Sequence, residues 1–181
     1  MKRRRWSGSW CVAPFAVALA GCLSSAPPLP PVRWFDPSPA APLDAAARPA
    51  AHLRVTAGGH LGREFVVRTA PRELVFDERH GWIAEPAALV RGALERRLDV
   101  ALGPVAAPDA VAVAVDVEAF ELDLQQTPRA VVRLGVHVGA ERSVVATTAE
   151  AASSAPGALA EAMAAALAEA AASVAARVAR R

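Results

Sequence analysis

Val111, Val113, Val115 and Val117 take every second position, with Asp116 and Glu118 between and after them. A period of two predicts a strand with one face buried and one face wet. At Phe120, Leu122 and Leu124 the apolar set moves to the even positions. A strand changes parity in this way only through a bulge, a twist or a change in the layer that covers it. Beyond Thr127-Pro128, the residues Val132, Leu134, Val136 and Val138 restore clean alternation, with Arg133 and His137 pointing the other way. Arg142 to Glu150 reads as one more strand. Three strands in succession with short links predict an antiparallel meander.

Upstream the pattern is shorter and more broken. Leu53 and Val55 alternate with polar neighbours until Gly58-Gly59 interrupts them. The runs EFVVRT (Glu64 to Thr69) and RELVFDE (Arg72 to Glu78) are rich in β-formers and are joined at Ala70-Pro71, which predicts a hairpin or an edge bend. From Pro86 the period changes to that of a helix. Val90, Leu94, Leu98 and Leu102, flanked by Leu89 and Ala93, form one stripe, with Arg91, Glu95 and Arg96 outside it. A second helix is predicted from Pro156 to Arg181, with Leu159, Met163, Leu167, Val174 and Val178 as its larger apolar residues and Ala170 filling the gap. Glu161 and Glu169 interrupt this run, and alanine is only weakly apolar, so the pattern favours packing on a sheet over crossing a membrane. The order β-β-β-α-β-β-β-α predicts an α+β fold, a mainly antiparallel β-sheet packed against two α-helices.

The first fifty residues follow other rules. Lys2 to Arg5 form a positive segment, and Trp10 to Leu19 an apolar one, the layout of an export signal. The apolar stretch is too short to span a hydrocarbon core of about 30 Å comfortably. It ends in Leu19-Ala20-Gly21-Cys22, which matches the lipobox of bacterial lipoproteins. That match implies cleavage between Gly21 and Cys22, a diacylglyceryl group on the Cys22 sulfur and an acyl group on the new amino terminus. More than one acyl chain makes anchoring stable. Leu23 follows the acylated residue, where Asp would favour retention on the inner membrane, so the expected site is the periplasmic face of the outer membrane. The stretch LSSAPPLPP (Leu23 to Pro31) reads as an extended tether, and PSPAAPLDAAARPA as a second segment of low order. Between them lies an aromatic island, Arg33-Trp34-Phe35-Asp36, expected to form a short strand. The predicted organisation is a signal peptide over 1–21, a lipidated tether over 22–50 and a folded domain over 51–181.

Composition changes meaning once the signal is removed. Residues 22–181 are 160 of the 181, enough for one domain with a real core. The signal holds four of the 20 basic residues and none of the 18 acidic ones, so 16 basic residues face 18 acidic ones, a balance of −2. The formal +2 of the whole chain is therefore no sign of nucleic-acid binding. Cys11 lies in the signal and Cys22 carries lipid, which leaves no thiol for a disulfide or a metal.

Candidate chemistry is sparse. GGHLG at Gly58 to Gly62 lacks the lysine and the spacing of a phosphate loop. His52, His60, His80 and His137 are scattered without metal-ligand spacing. Ser153-Ser154 precede a helix, where capping is the ordinary role. Asp77, Glu78 and Glu85 flank Trp82 in an expected strand-to-helix loop and could serve acid–base chemistry, though solvated or capping roles are commoner. No catalytic residue, metal site or bound cofactor is nominated, and the reading is non-enzymatic.

The segment RELVFDERHGWIAEPAALVRGALERRL, followed by VAVDVEAFELD, resembles the ABC-type transport auxiliary lipoprotein family, of the PqiC/YmbA type. Members carry a lipobox, an aromatic pair in a short first strand, a Trp-containing turn before a helix, a long strand ending in a Phe-acidic pair and an Ala-rich last helix. Here these are Cys22, Trp34-Phe35, Trp82 with Ala84-Glu85-Pro86, Phe120-Glu121 and the final helix. The first aromatics are Trp-Phe where tyrosines are usual, and Ile83 stands between Trp82 and Ala84. The resemblance implies a non-catalytic outer-membrane lipoprotein of an envelope system that carries phospholipid between membranes. Its partners would be an MCE-domain protein with its permease and ATPase, a homo-oligomer is left open, and no nucleic acid is involved. Trp82 and Phe120 are candidates either for partner contact or for plugging the core, the commoner setting. A rival from another class is an envelope assembly or regulatory lipoprotein, such as an activator of a peptidoglycan synthase.

Overall fold

The computed structural model describes residues 29–38, 51–102 and 111–180. Within these residues, seven strands and two helices follow one another as β1 (Arg33–Phe35), β2 (Ala51–Ala57), β3 (Glu64–Ala70), β4 (Glu73–Trp82), α1 (Pro86–Leu102), β5 (Val111–Asp123), β6 (Arg129–Val138), β7 (Glu141–Glu150) and α2 (Pro156–Val178). Apart from the short aromatic strand, this is the expected alternation of three strands and a helix, twice over. The lipobox residues Gly21 and Cys22, and the signal and tether around them up to Pro28, lie outside the described residues.

All seven strands join one sheet in the order β1-β4-β3-β5-β6-β7, with β2 also beside β5. The β3–β4 hairpin and the β5-β6-β7 meander are antiparallel as expected. The sheet as a whole is mixed, because β1 runs parallel to β4, and β2 and β3 both run parallel to β5. Parallel neighbours need a long crossover, and α1 supplies it by carrying the chain from the β3–β4 hairpin back to the start of β5. The β6–β7 link is a two-residue turn whose first residue, Gly139, has φ 59°. That left-handed conformation at the first central position is the reason for glycine there.

β5 is the spine. Its first half, Val111 to Val117, is paired with β2, and near its end Leu122 and Asp123 are paired with β3. The changeover coincides with a bulge: Val117 faces Leu134 and Ala119 faces Arg133, so Glu118 has no partner of its own on β6. This extra residue is the physical basis of the parity change. Val113, Val115 and Val117 before it, and Phe120 and Leu122 after it, are all buried.

Both helices cover the same face of the sheet. α1 packs on β2 and β5, α2 on β6 and β7, and the two helices touch each other. The α1 stripe Leu89, Val90, Ala93, Leu94 and Leu98 is buried as patterned. In α2 the buried set includes Ala162, Ala166 and Ala170 beside Met163, Leu167 and Val174. Alanines bring the helix backbone close to the sheet, close enough for the Thr147 hydroxyl of β7 to donate to the Ala166 carbonyl at 2.8 Å. α2 is long and apolar enough to cross a membrane by composition, yet it is seated on the sheet with much of its surface buried. Its N-terminus is not capped by a serine. The N-cap residue is Ala155, with Pro156 opening the helix, and the Ser153 hydroxyl instead accepts the Ala155 N–H.

Candidate functional site

The most distinctive chemistry of the domain sits where β1 meets β4. β4 is longer than its sequence pattern suggested, reaching Trp82, so Asp77 and Glu78 lie within a strand and only Glu85 lies in the turn before α1. Between Asp77 and Gly81 the strand bulges: β3 advances from Phe65 back to Glu64 while β4 passes from Asp77 to Gly81. Asp77 closes that bulge. Its Oδ1 accepts the Arg79 N–H at 2.8 Å and its Oδ2 lies 2.7 Å from His80 Nδ1. Burial pushes the Asp77 carboxyl up, but these hydrogen bonds outweigh it and hold the group below its ordinary value. This is a structural role for Asp77, not the geometry of a general base.

Behind the bulge a row of rings crosses the sheet. Phe35 of β1 and Phe65 of β3 lie 5.4 Å apart between centroids, Phe65 and Trp82 4.2 Å, and Trp82 and Phe120 5.3 Å, the last pair edge to face. Trp82 is 1% exposed and Phe120 0%. The two candidates therefore meet each other in the interior, where neither offers a surface to a partner. The Trp82 indole N–H finds no acceptor among the described residues.

A different tryptophan faces outward. Trp34 is paired with Gly81, and a Cβ at Gly81 would fall 2.5 Å from the Trp34 ring, so only glycine lets the ring lie there. The Arg63 guanidinium sits 4.3 Å from the centre of the same ring. Arg63 also donates to the carbonyls of Trp82 at 3.3 Å and Ile83 at 2.8 Å, and the Ile83 N–H donates to Phe35 at 2.9 Å. Sequence reading noticed the aromatic island but not Arg63, which is distant in sequence and sits in no motif. Gly81 was the available signal, a glycine inside a strand where another group approaches closely.

The face of the sheet away from the helices carries paired charges. Arg68 forms two hydrogen bonds to Glu121, at 2.8 and 2.7 Å, and Arg129 grips Asp123 at 2.9 and 2.7 Å. Burial pushes Asp123 up, but the Gln125 N–H and the Arg129 guanidinium prevail and hold it below the ordinary value. The Glu121 hydrogen bonds, acting against burial, raise Arg68. Held low in this way, Asp123 is a poor proton acceptor. A cleft of about 260 Å³ on this face is lined by Arg54, Thr56, Asp116 and His137 among others. In it the Thr56 hydroxyl donates to Asp116, whose other oxygen is 3.7 Å from His137 Nε2. Asp116 stands between the hydroxyl and the imidazole, so the hydroxyl is hydrogen-bonded to a carboxylate and not to His137. Among the described residues no three His, Cys, Asp or Glu side chains gather as a metal site would require.

Known structures share this fold. A crystal structure of protein XCC0632 from Xanthomonas campestris, of the DUF330 family, is 20% identical, with 81% of this chain and 94% of that one covered and a TM-score of 0.65. An uncharacterized protein of known structure is 15% identical, with 71% and 92% covered and a TM-score of 0.58. At such identities the likeness concerns the fold alone. No curated protein matches the sequence. One family model, described as the ABC-type transport auxiliary lipoprotein component, matches residues 38–179.

Proposed function

The chain belongs to the ABC-type transport auxiliary lipoprotein component family, and from this premise we propose that it is the non-catalytic, outer-membrane-anchored member of a system that moves phospholipid between membranes. As an auxiliary lipoprotein it works in the cell envelope beside an ABC-type transporter. The family match over residues 38–179 carries the reading. Three further features support it. Leu19 to Cys22 provide an acylation motif, Leu23 to Pro31 provide reach toward the periplasm, and no motif for nucleotide chemistry appears in the sequence. In this scheme ATP hydrolysis belongs to another chain, and this one holds the outer end of an MCE-domain conduit.

The sheet face away from the helices fits a docking role of low charge. Three of its arginines are committed to its own carboxylates, Arg68 to Glu121, Arg129 to Asp123 and Arg133 to Glu118. Such a face projects little net field, so a partner would be held by contact more than by long-range attraction. Crosslinking in intact envelopes followed by purification of this chain tests the proposal. The expected co-purifying proteins are an MCE-domain protein and its permease. Their association with the purified domain is expected to weaken only modestly between low and physiological salt. Recovery of a peptidoglycan synthase without an MCE protein would replace this reading with that of an assembly factor. A hydrolase activity intrinsic to the chain would overturn both.

A further inference from the structure

Three apolar side chains stand exposed around β1: Val32 at 45%, Trp34 at 50% and Ile83 at 54%. Trp34 and Ile83 are held together rather than scattered, and Val32 lies two residues before Trp34. Ile83 is hydrogen-bonded to Phe35 through the backbone, and Arg63 binds the Ile83 carbonyl while its guanidinium lies over Trp34. The Trp34 backbone is paired in the sheet, and its ring is seated against Gly81. A large ring held this firmly loses little conformational freedom on contact, so its exposure is a surface prepared for a ligand.

The chemistry of that surface is that of a membrane interface. Trp is enriched at the headgroup level, where one part of the ring meets hydrocarbon and the indole N–H stays wet. Two of the five guanidinium N–H groups of Arg63 go to the carbonyls of Trp82 and Ile83, which leaves donors for a lipid phosphate. Chain length selects the same occupant. Only ten residues, 23–32, separate Cys22 from β1. At roughly 3.1 Å per residue they reach on the order of 30 Å even when fully extended. The β1 end is therefore the part of the domain that the anchor keeps nearest to the bilayer. Tethering at such short range raises the effective concentration of lipid, so a small patch suffices.

We propose that Val32, Trp34 and Ile83, with Arg63, form a second, non-covalent membrane contact that lies in the headgroup layer of the bilayer holding the anchor. This contact rests on the reading of Cys22 as the anchor point. It would dock the domain on the membrane with β1 down, leaving the rest of the sheet free for a protein partner. Arg33 and Arg63 are offset by Asp36 and Glu64 nearby in the chain. Apolar insertion therefore carries the contact, and anionic lipid is not required.

Residues 22–181 contain two tryptophans, Trp34 and the interior Trp82, and a single thiol, Cys22. The mature chain is coupled through Cys22 to a maleimide-headgroup lipid in vesicles of phosphatidylethanolamine and phosphatidylglycerol whose acyl chains carry bromine. The Trp34 emission is expected to shift to the blue and be quenched while that of Trp82 survives. Trp34→Phe should abolish the quenching. Ile83→Glu, an exposed change, should reduce it without altering the melting temperature. Emission unaffected by brominated lipid, or acrylamide reaching Trp34 as readily on vesicles as in solution, would overturn the proposal and leave the patch to a protein partner or a second copy. Because coupling supplies the anchor chemically, a failure of acylation in cells and a failure of this contact are read separately.

Discussion

Trp82 had two readings, partner contact or core plug. Its place beside a helix end favours the core plug, and it is the largest fully buried side chain among the described residues. Replacing it with Ala leaves a cavity between Phe65 and Phe120 and should cost about 3–5 kcal/mol in chemical denaturation. Trp82→Phe keeps a ring and removes an indole N–H that has no acceptor among the described residues, so its cost should be much smaller. An unchanged stability in Trp82→Ala, with partner binding lost, would return the residue to the interface. Asp123 gives the matching test in acid. Its folded-state carboxyl lies below the ordinary value of 3.8, so the stability it contributes is complete above that value. That contribution is lost as pH falls through the lower folded-state value. Asp123→Asn should therefore make the loss of stability below about pH 4 shallower than in the parent chain, as measured by denaturation at stepped pH.

Among the elements, β5 decides the architecture. Glu118 is the extra residue between Val117 and Phe120, which both face the helices, and it sits at the point where β2 gives way to β3. Deleting Glu118 would leave Val117 opposite Leu134, Ala119 opposite Arg133 and Phe120 opposite Val132, in unbroken alternation. Phe120 and Leu122 would keep facing the helices, and what is lost is the extra local twist of the bulge. The deleted chain should therefore still fold as a monomer, with a lowered melting temperature, and failure to fold would show that the twist itself is needed to pass from β2 to β3. Glu118→Ala is the control. It removes an ion pair whose Arg133 partner is 55% exposed, and the loss should stay below about 1 kcal/mol. Far-ultraviolet circular dichroism and a melting curve on both variants separate the bulge from the charge.

For the molecule as a whole, the proposed function divides the work between an anchor and a folded domain. The described residues 31–180 fall in a single compact unit, with a core of aliphatic, alanine and aromatic side chains and no disulfide to support it. The proposed anchor rests on sequence alone, in Leu19 to Cys22. Cys22→Ser replaces the thiol proposed to accept the diacylglyceryl group with a hydroxyl that would not. Metabolic labelling with a clickable fatty acid should give a labelled parent chain, and an unlabelled, unprocessed variant. Equal label on both would remove the anchor from the account, and with it the reason for β1 to sit near a bilayer.

The parity change in β5 and the stripe of α1 were both legible in the sequence, because each is a local pattern. A helix or strand half-exposed to water must repeat its apolar residues with its own period. Pairing is not local in this sense. Nothing near Leu53 or Val67 states that β2 and β3 will share one edge of β5, parallel to it, since that depends on where α1 returns the chain. Asp77 and Glu78 close the strand expected over 72–78, and β4 runs on to Trp82 because the bulge beyond Asp77 interrupts the alternation without ending the pairing. Trp34 and Arg63 were separate residues until β1 settled beside β4 over Gly81. Periodicity records only which side of a segment is dry, whereas the neighbours that make it dry are chosen when distant segments pack together.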